Sequence, residues 1–373
     1  MGLTKEHLSQ LETPCLVIDV DQVKRNIELM QKAADAAGCR LRPHIKTHKM
    51  PYFARMQVEA GAKGITCAKV SEAEIMAEGG LRDIFIAYPM VGAFRVKRAI
   101  ALHHCVDRLI LAVDSLAGAV MLDEMAEKSG VRLEVRLEID TGAGRTGVSP
   151  GEAPALAVAL AGMKNLRLTG IYTFKGLVHN GQPTTDNLLA AREEGEMMAA
   201  VAKAIHRAGI PLEDISAGSS PTGVEAAKTG QVNEIRPGTY IFKDQLLCDE
   251  HVASIPEVAV CYVATVVSTP HKHYAVLDGG SKTFPTDIPL NTPPFFYTGY
   301  AMVEGREDLR LSRMNEEHGI VLSTTGETGL RVGEMLTLRP IHVCTAINMQ
   351  NTVYLLEDGK LRSQKVDARG MLV

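Results

Sequence analysis

The sequence predicts an α/β protein built as a (β/α)8 barrel followed by a second, mostly β domain. Three observations predict it. From about residue 14 to 244, short apolar runs alternate with longer amphipathic stretches, and eight such runs follow an initial one; this is the rhythm of parallel strands joined by helices. The residues with chemistry fall directly after these runs, as they do on the barrel face where the loops after strands gather. After about residue 245 the helical stretches stop, and short strands separated by turns such as Asp278-Gly279-Gly280 and Glu357-Asp358-Gly359 take over. A doubly wound open sheet is the alternative. No GxGxxG follows the early strands, however, and Gly142-Ala143-Gly144-Arg145 is too short for that fingerprint.

Taken in order, Cys15–Ile18 precedes the barrel count and is assigned to the β domain. The expected barrel strands are Arg40–Pro43, Gly64–Ala68, Asp83–Ala87, Arg108–Val113, Arg132–Ile139, Arg167–Tyr172, Leu212–Ser216 and Asn233–Ile235. Helical periodicity lies between most of them, as in Met50–Ala60, Ser71–Glu78, Ala117–Lys128 and the long Asn187–Ala208. Ser71-Glu72-Ala73-Glu74 reads as a capping box. The β domain is expected to use Val258–Val267, His273–Val276, Gly319–Leu322, Met335–Leu338 and Thr352–Leu356. The expected division is therefore residues 20–245 for the barrel, with 1–19 and 246–373 for the β domain.

Composition narrows the function. At 373 residues and 46% hydrophobic, the chain is long enough for two cores. A net charge of −4 gives no support for a nucleic-acid surface, so the basic residues act locally. No apolar segment is long enough to span a bilayer, and MGLTKEHLSQLETP lacks the apolar centre of a targeting signal. The seven scattered cysteines form no CxxC pair, which argues against a disulfide framework and suits a cytoplasmic location.

Two segments carry the first chemical signal. Arg42-Pro43-His44-Ile45-Lys46-Thr47-His48-Lys49 places five basic or imidazole side chains in eight residues after a strand. An amine there can hold an anion or act as a nucleophile, although a solvated basic loop is an equally simple reading. After the seventh barrel strand, Ala217-Gly218-Ser219-Ser220-Pro221-Thr222-Gly223 offers N–H groups and hydroxyls suited to one phosphate, though plain turns share that composition. An amine and a phosphate-type loop on one barrel face suggest a phosphorylated ligand near an amine. On an extended segment His342 and Cys344 would face the same way and could converge on a metal. Alone, H-x-C is a weak signal.

These residues resemble the D-threonine aldolase and D-serine dehydratase group of pyridoxal-phosphate enzymes, whose first domain is related to that of alanine racemase. The resemblance runs nearly end to end. It includes Glu12-Thr13-Pro14-Cys15-Leu16-Val17-Ile18-Asp19, the segment around Lys46, and Glu138-Ile139-Asp140-Thr141-Gly142 with Arg145 and Gly147. It continues through Gly218-Ser219-Ser220-Pro221-Thr222, Glu234-Ile235-Arg236-Pro237-Gly238-Thr239-Tyr240, Glu317-His318-Gly319 and His342-Val343-Cys344. It implies a fold type III architecture, a homodimer, pyridoxal 5'-phosphate bonded to Lys46, and a cofactor-side role for Arg145. It further implies a phosphate cup of Ser219, Ser220, Thr222, Gly238, Thr239 and Tyr240, and a divalent metal (zinc, manganese or magnesium) on His342 and Cys344. Tyr172, closing the sixth barrel strand, is a further cofactor-contact candidate. His44, His48 and His318 are candidates for the base or for orienting water.

Two departures from the group's pattern stand out. Many members carry a histidine directly behind a glycine after the sixth barrel strand, whereas here the chain reads Tyr172-Thr173-Phe174-Lys175-Gly176-Leu177-Val178-His179. Lys175 is then either a partner for a substrate carboxylate or a surface ammonium. Isoleucine 341 replaces a frequent asparagine before the metal motif. The resemblance favours an aldolase that cleaves D-β-hydroxy-α-amino acids to glycine and an aldehyde. A D-serine-type dehydratase is second, an amino-acid racemase third, and a non-catalytic cofactor carrier is the reading outside enzymes.

Overall fold

The computed structural model describes residues 2–373. Its contacts divide the chain into two compact units: Met1–Ile27, Thr47–Lys49 and Thr239–Arg369 form one, and Glu28–Lys46, Met50–Gly238 and Gly370–Val373 the other.

Strand β1 (Cys15–Asp19) belongs to the first unit. The second unit contains β2 (Arg40–Leu41), β3 (Ile65–Cys67), β4 (Asp83–Pro89), β5 (Arg108–Val113), β6 (Leu133–Glu138), β7 (Leu166–Tyr172), the short hairpin β8 (Val178–His179) and β9 (Gln182–Pro183), β10 (Asp214–Ala217) and β11 (Glu234–Ile235). Apart from the hairpin these strands form one parallel sheet in the order β2-β11-β10-β7-β6-β5-β4-β3. The ring closes between β2 and β3. His44 bridges Thr66 in parallel, Lys63 N–H donates to Leu41 O at 2.8 Å, and Thr66 N–H donates to Pro43 O at 2.8 Å. The expected (β/α)8 barrel is the observed fold, and closure leaves no bare sheet edge.

The intervening helices take their caps from the sequence. Ser115 and Asp186 accept the N–H groups of Gly118 and Leu189 at the starts of Leu116–Ser129 and Asn187–Arg207, and Gly130 ends the former in the left-handed region. The capping box expected at Ser71 does not form. The helix begins at Val70 with Lys69 as N-cap; Glu72 accepts Ala68 N–H at 2.7 Å, and Glu74 turns outward to Arg98. Ser71 instead donates its hydroxyl to Val373 O.

The barrel interior is ionic in its lower part. Arg42 and Arg136, both fully buried, converge on Glu234; Arg42 also reaches Asp83 at 2.5 Å, and Arg136 reaches Asp214 at 2.7 Å. Ser216 donates to Glu234 at 2.7 Å. Gly170 stands in register between Arg136 and Asp214, and a Cβ there would sit 2.2 Å from Asp214 O, so only glycine leaves the pair room. Above this layer Phe85 and Tyr172 meet edge to face at 4.9 Å, with the Arg136 guanidinium over Phe85 and the Arg236 guanidinium over Tyr172.

In the other unit, β12 (Val260–His271), β13 (Tyr274–Leu277), β14 (Ala301–Val303), β15 (Leu309–Met314), β16 (Gly319–Ser323) and β17 (Met335–Pro340) are antiparallel. β13 pairs with both β16 and β12, which closes that ring. β1 pairs antiparallel with β12 and parallel with β18 (Thr352–Glu357), which in turn pairs with β19 (Lys360–Lys365). Leu11, Cys15, Val17, Cys261, Val263 and Leu356 form the apolar core at this junction. No helix among the described residues is long and apolar enough to cross a membrane.

Candidate active site

The barrel places Lys46 where a strand-end amine was expected, but not on an extended segment. Ile45–Thr47 is a 3-10 turn, and Lys46 N–H donates back to His44 Nδ1 at 3.3 Å. The turn means that His44, Lys46 and His48 do not share one face by strand alternation. Half-buried Lys46 holds its ammonium 5.3 Å from the centre of the Phe174 ring, and the guanidinium of exposed Arg145 lies 4.8 Å from the same ring. Phe174 thus takes two cations at the C-terminal ends of the barrel strands, which brings together the two residues expected at the cofactor.

Tyr172 is buried beneath them beside Glu138. Burial drives the phenol well above its ordinary range and the Glu138 carboxyl upward too. Neither the Tyr172 hydroxyl nor Glu138 Oε2 completes a hydrogen bond among the described residues. Arg236 donates to Ser216 Oγ at 2.5 Å and to Thr173 O, and burial pulls its pKa down.

The loop after β10 is held from below. Glu194, fully buried on the long helix, accepts Gly218 N–H at 3.2 Å and the Thr222 hydroxyl at 2.9 Å, and burial raises its pKa. Gly218 has φ +85°, and a Cβ there would fall 2.3 Å from Gly223 Cα. Ser219 and Ser220 stay half-exposed, whereas the Thr222 hydroxyl is committed to Glu194 and accepts Ser219 N–H at 3.1 Å. Thr222 therefore shapes the loop rather than presenting a free donor. A strand-end amine, a guanidinium on a shared aromatic ring, and a glycine-tight loop carrying the half-exposed Ser219 and Ser220, the Ser219 hydroxyl lying 3.1 Å from that of Thr222, form a donor set that fits pyridoxal phosphate. Gly238 closes the Met50–Gly238 segment of this unit.

Lys175 corrects an expectation: it is neither a surface ammonium nor an open carboxylate receptor. Its side chain is 1% exposed and ion-paired with Glu193, which also accepts Asn180 N–H from the β8–β9 turn. The hairpin curls the chain back over the barrel helix and places His179, half-buried, beside Asn180.

In the β unit, His342 and Cys344 do not lie on a strand. His342 is the extended N-cap of helix Val343–Asn348, and Cys344 sits in its first turn. The two side chains are nevertheless close enough to interact, through a strand-to-helix corner rather than strand alternation. Hydroxyls of Thr47 and Thr239 lie 3.2 and 3.6 Å from Cys344 Sγ, so the Thr239 side chain faces the thiol. Tyr240 is buried in the 3-10 turn Thr239–Ile241, and His48 is fully buried edge-on to Phe242 at 6.5 Å. His318 occupies the exposed turn between β15 and β16.

Carboxylates that sequence reasoning missed surround the pair. Asp287 Oδ2 lies 2.6 Å from His342 Nδ1 and accepts the Thr345 hydroxyl at 2.9 Å. Burial pushes the His342 pKa down, but the Asp287 carboxylate and the Cys344 sulfur beside it outweigh that and lift it to about 11; the bond to His342 holds Asp287 below its usual range against burial. Asp244, raised to about 6 by burial, accepts Val343 N–H at 2.9 Å and Leu247 N–H at 3.0 Å, fixing the corner's backbone. Burial lifts nearby Glu250 to about 8. Asp287 left no pattern to read, since it lies in irregular chain. Glu194 did leave one: it interrupts the buried stripe of Ala190, Ala191, Met198, Val201 and Ile205 on its helix.

The comparisons agree with this architecture. The family model "Alanine racemase, N-terminal domain" matches residues 18–245, and "Putative serine dehydratase domain" matches 259–356. The D-threo-3-hydroxyaspartate dehydratase of Delftia sp. is 33% identical over 96% of this chain and 98% of its own. The chain belongs to the D-threonine aldolase and D-serine dehydratase family of pyridoxal-phosphate enzymes. Within that family, a 3-hydroxy-D-aspartate aldolase of Paracoccus denitrificans is 30% identical over 97% of this chain and 93% of its own. The solved Delftia dehydratase superimposes with a TM-score of 0.88 at 32% identity, covering 96% of this chain and 98% of that one. A D-threonine aldolase from Filomicrobium marinum gives 0.86 at 28%, covering 98% and 97%. The Delftia dehydratase is also solved as a histidine-to-alanine variant and, two positions further on, as a cysteine-to-alanine variant in the metal-free form. The named relatives include both dehydratases and aldolases of D-β-hydroxy-α-amino acids, and they back the dehydratase expectation better than the aldolase one.

Proposed function

We propose that the protein is a pyridoxal-phosphate- and metal-dependent dehydratase that converts a D-3-hydroxyaspartate-type amino acid to an oxo acid and ammonia. The observation that carries this reading is the corner that sets His342 and Cys344 side by side at the start of one helix. The same two residue types, at the same spacing, are the positions altered in the dehydratase relative, one of them in a metal-free form. Cleavage of the same substrates to glycine and an aldehyde is the second reading, favoured by the aldolase relatives.

Bound pyridoxal phosphate supplies an electron sink for a bond broken at Cα. Lys46 would tether it, with Ser219 and Ser220 at its phosphate and Arg145 at the ring. The Lys46 amine would serve as the base for a Cα proton, with Phe174 covering one side of that amine. Among the described residues no group of three or more His, Cys, Asp and Glu side chains is placed to hold a metal. Two protein donors are too few for a closed structural site, and they suit a catalytic ion with open positions. The thiolate favours zinc by softness over manganese or magnesium. Held there, such an ion would supply a Lewis acid for a hydroxyl leaving group. A homodimer accords with the family.

The test offers D-threo-3-hydroxyaspartate, D-serine and D-threonine to protein loaded with pyridoxal phosphate, before and after verified metal removal. Ammonia with oxaloacetate is the expected product pair from hydroxyaspartate. Glycine with glyoxylate in its place would make the enzyme an aldolase, and a rate unmoved by metal removal would end the metal assignment.

A further inference from the structure

An imidazole that binds a metal through one nitrogen is directed by what its other nitrogen touches. In this chain the partner is explicit. Asp287 Oδ2 lies 2.6 Å from His342 Nδ1, and the same oxygen accepts the Thr345 hydroxyl one helical residue beyond Cys344. The carboxylate is thus pinned both to the imidazole and to the turn that carries the thiol. Asp287, Ile288, Pro285, Tyr300 and Ile341 line a small recess together with His342. The ring has only two nitrogens, and Asp287 occupies one.

We infer that Asp287 is a positioning residue. It fixes the His342 ring and its tautomer so that Nε2 and the Cys344 thiolate are presented together to a divalent ion. The inference rests on the metal reading above. A purely structural role for the contact is small, since His342 and Asp287 are 26% and 34% exposed and partly exposed ion pairs add little to stability. Directing a ligand has a larger expected effect, since partners of metal-bound histidines change metal affinity by roughly 10 to 100-fold.

The experiment measures metal binding directly, on pyridoxal-phosphate-loaded protein stripped of metal. Zinc affinity is read by competition with a chromophoric chelator, and cobalt is added as a spectroscopic probe of thiolate ligation. Asp287→Ala is expected to weaken zinc binding about 10 to 100-fold with cofactor loading unchanged. Asp287→Asn keeps an acceptor for Nδ1–H and is expected to fall between Asp287→Ala and wild type. Both variants are expected to retain the thiolate-to-cobalt band at saturating metal. His342→Ala separates the two claims. If wild type and His342→Ala bind zinc equally, the metal reading itself fails. If His342→Ala loses binding while Asp287→Ala and Asp287→Asn match wild type, only the inference about Asp287 is overturned. Should Asp287→Ala fail to fold, Asp287→Asn decides alone: affinity equal to wild type with an unaltered cobalt spectrum overturns the charge-based orientation.

Discussion

Replacing Lys46 by alanine is expected to remove essentially all turnover, a loss on the order of 10² to 10⁴-fold from the base function alone, with the tether lost besides. The expectation follows from position. Lys46 sits in the 3-10 turn directly after the strand that closes the barrel, and its ammonium shares the Phe174 ring with Arg145. Borohydride should fix a pyridoxyl group onto residue 46 of the wild type, found as one modified peptide by mass spectrometry, and no such peptide should appear in the variant. Lys46→Arg keeps the cation over Phe174 but cannot condense with an aldehyde or act as a base near neutral pH. It should be as inactive as alanine while retaining more of the native stability. Small primary amines added to Lys46→Ala should restore part of the rate, because they replace the amine and leave the Gly218–Gly223 loop intact. A wild-type protein that borohydride labels at another lysine would overturn the assignment.

Much of this machinery was legible in the sequence, and the residues that were not share a physical reason. The barrel strands announced themselves as apolar runs because their outer faces pack beneath helices. β14, β15 and β19 did not, since Ala301–Val303 is three residues long and Leu309–Met314 and Lys360–Lys365 alternate with exposed charges. Lys46, Arg145 and the Ser219–Ser220 loop were identifiable because each lies directly after a strand. His342 and Cys344 were identifiable as residue types, but not in their geometry: spacing of i and i+2 fits a strand, and the chain turns into a helix between them. Asp287 is 55 residues from His342 in an irregular segment, so only the fold reveals the contact. The ionic barrel floor was hidden for the same reason. Arg136 and Glu234 are 98 residues apart, and each alone reads as an ordinary charge in a strand.

That floor carries the second large expectation. Glu234→Ala should destabilise the protein by about 3–5 kcal/mol, the cost of stripping one partner from a buried ion pair, and more if both arginines remain charged and dry. Glu234 is the hub. It is fully buried and takes Arg42 and Arg136 on its two oxygens together with the Ser216 hydroxyl, and Ser216 in turn accepts from Arg236 beneath Tyr172. Removing it leaves two buried guanidiniums sharing Asp83 and Asp214. Glu234→Gln keeps the volume and an acceptor, and should cost less than alanine. The pH dependence distinguishes charge from packing. Burial alone would raise the Glu234 carboxyl, but the two guanidiniums overcome it and hold the folded-state pKa well below the ordinary carboxylate value. A depressed carboxylate contributes stability that is present above its unfolded pKa and is lost as pH falls through the folded one. Wild-type stability, from urea melts between pH 7 and the acid limit, should therefore fall as acid is approached, and Glu234→Gln should show a shallower fall. Parallel curves for the two proteins would mean that the carboxylate acts through shape alone, and that the network's charge does not hold the strands on which Lys46 and the phosphate loop are mounted.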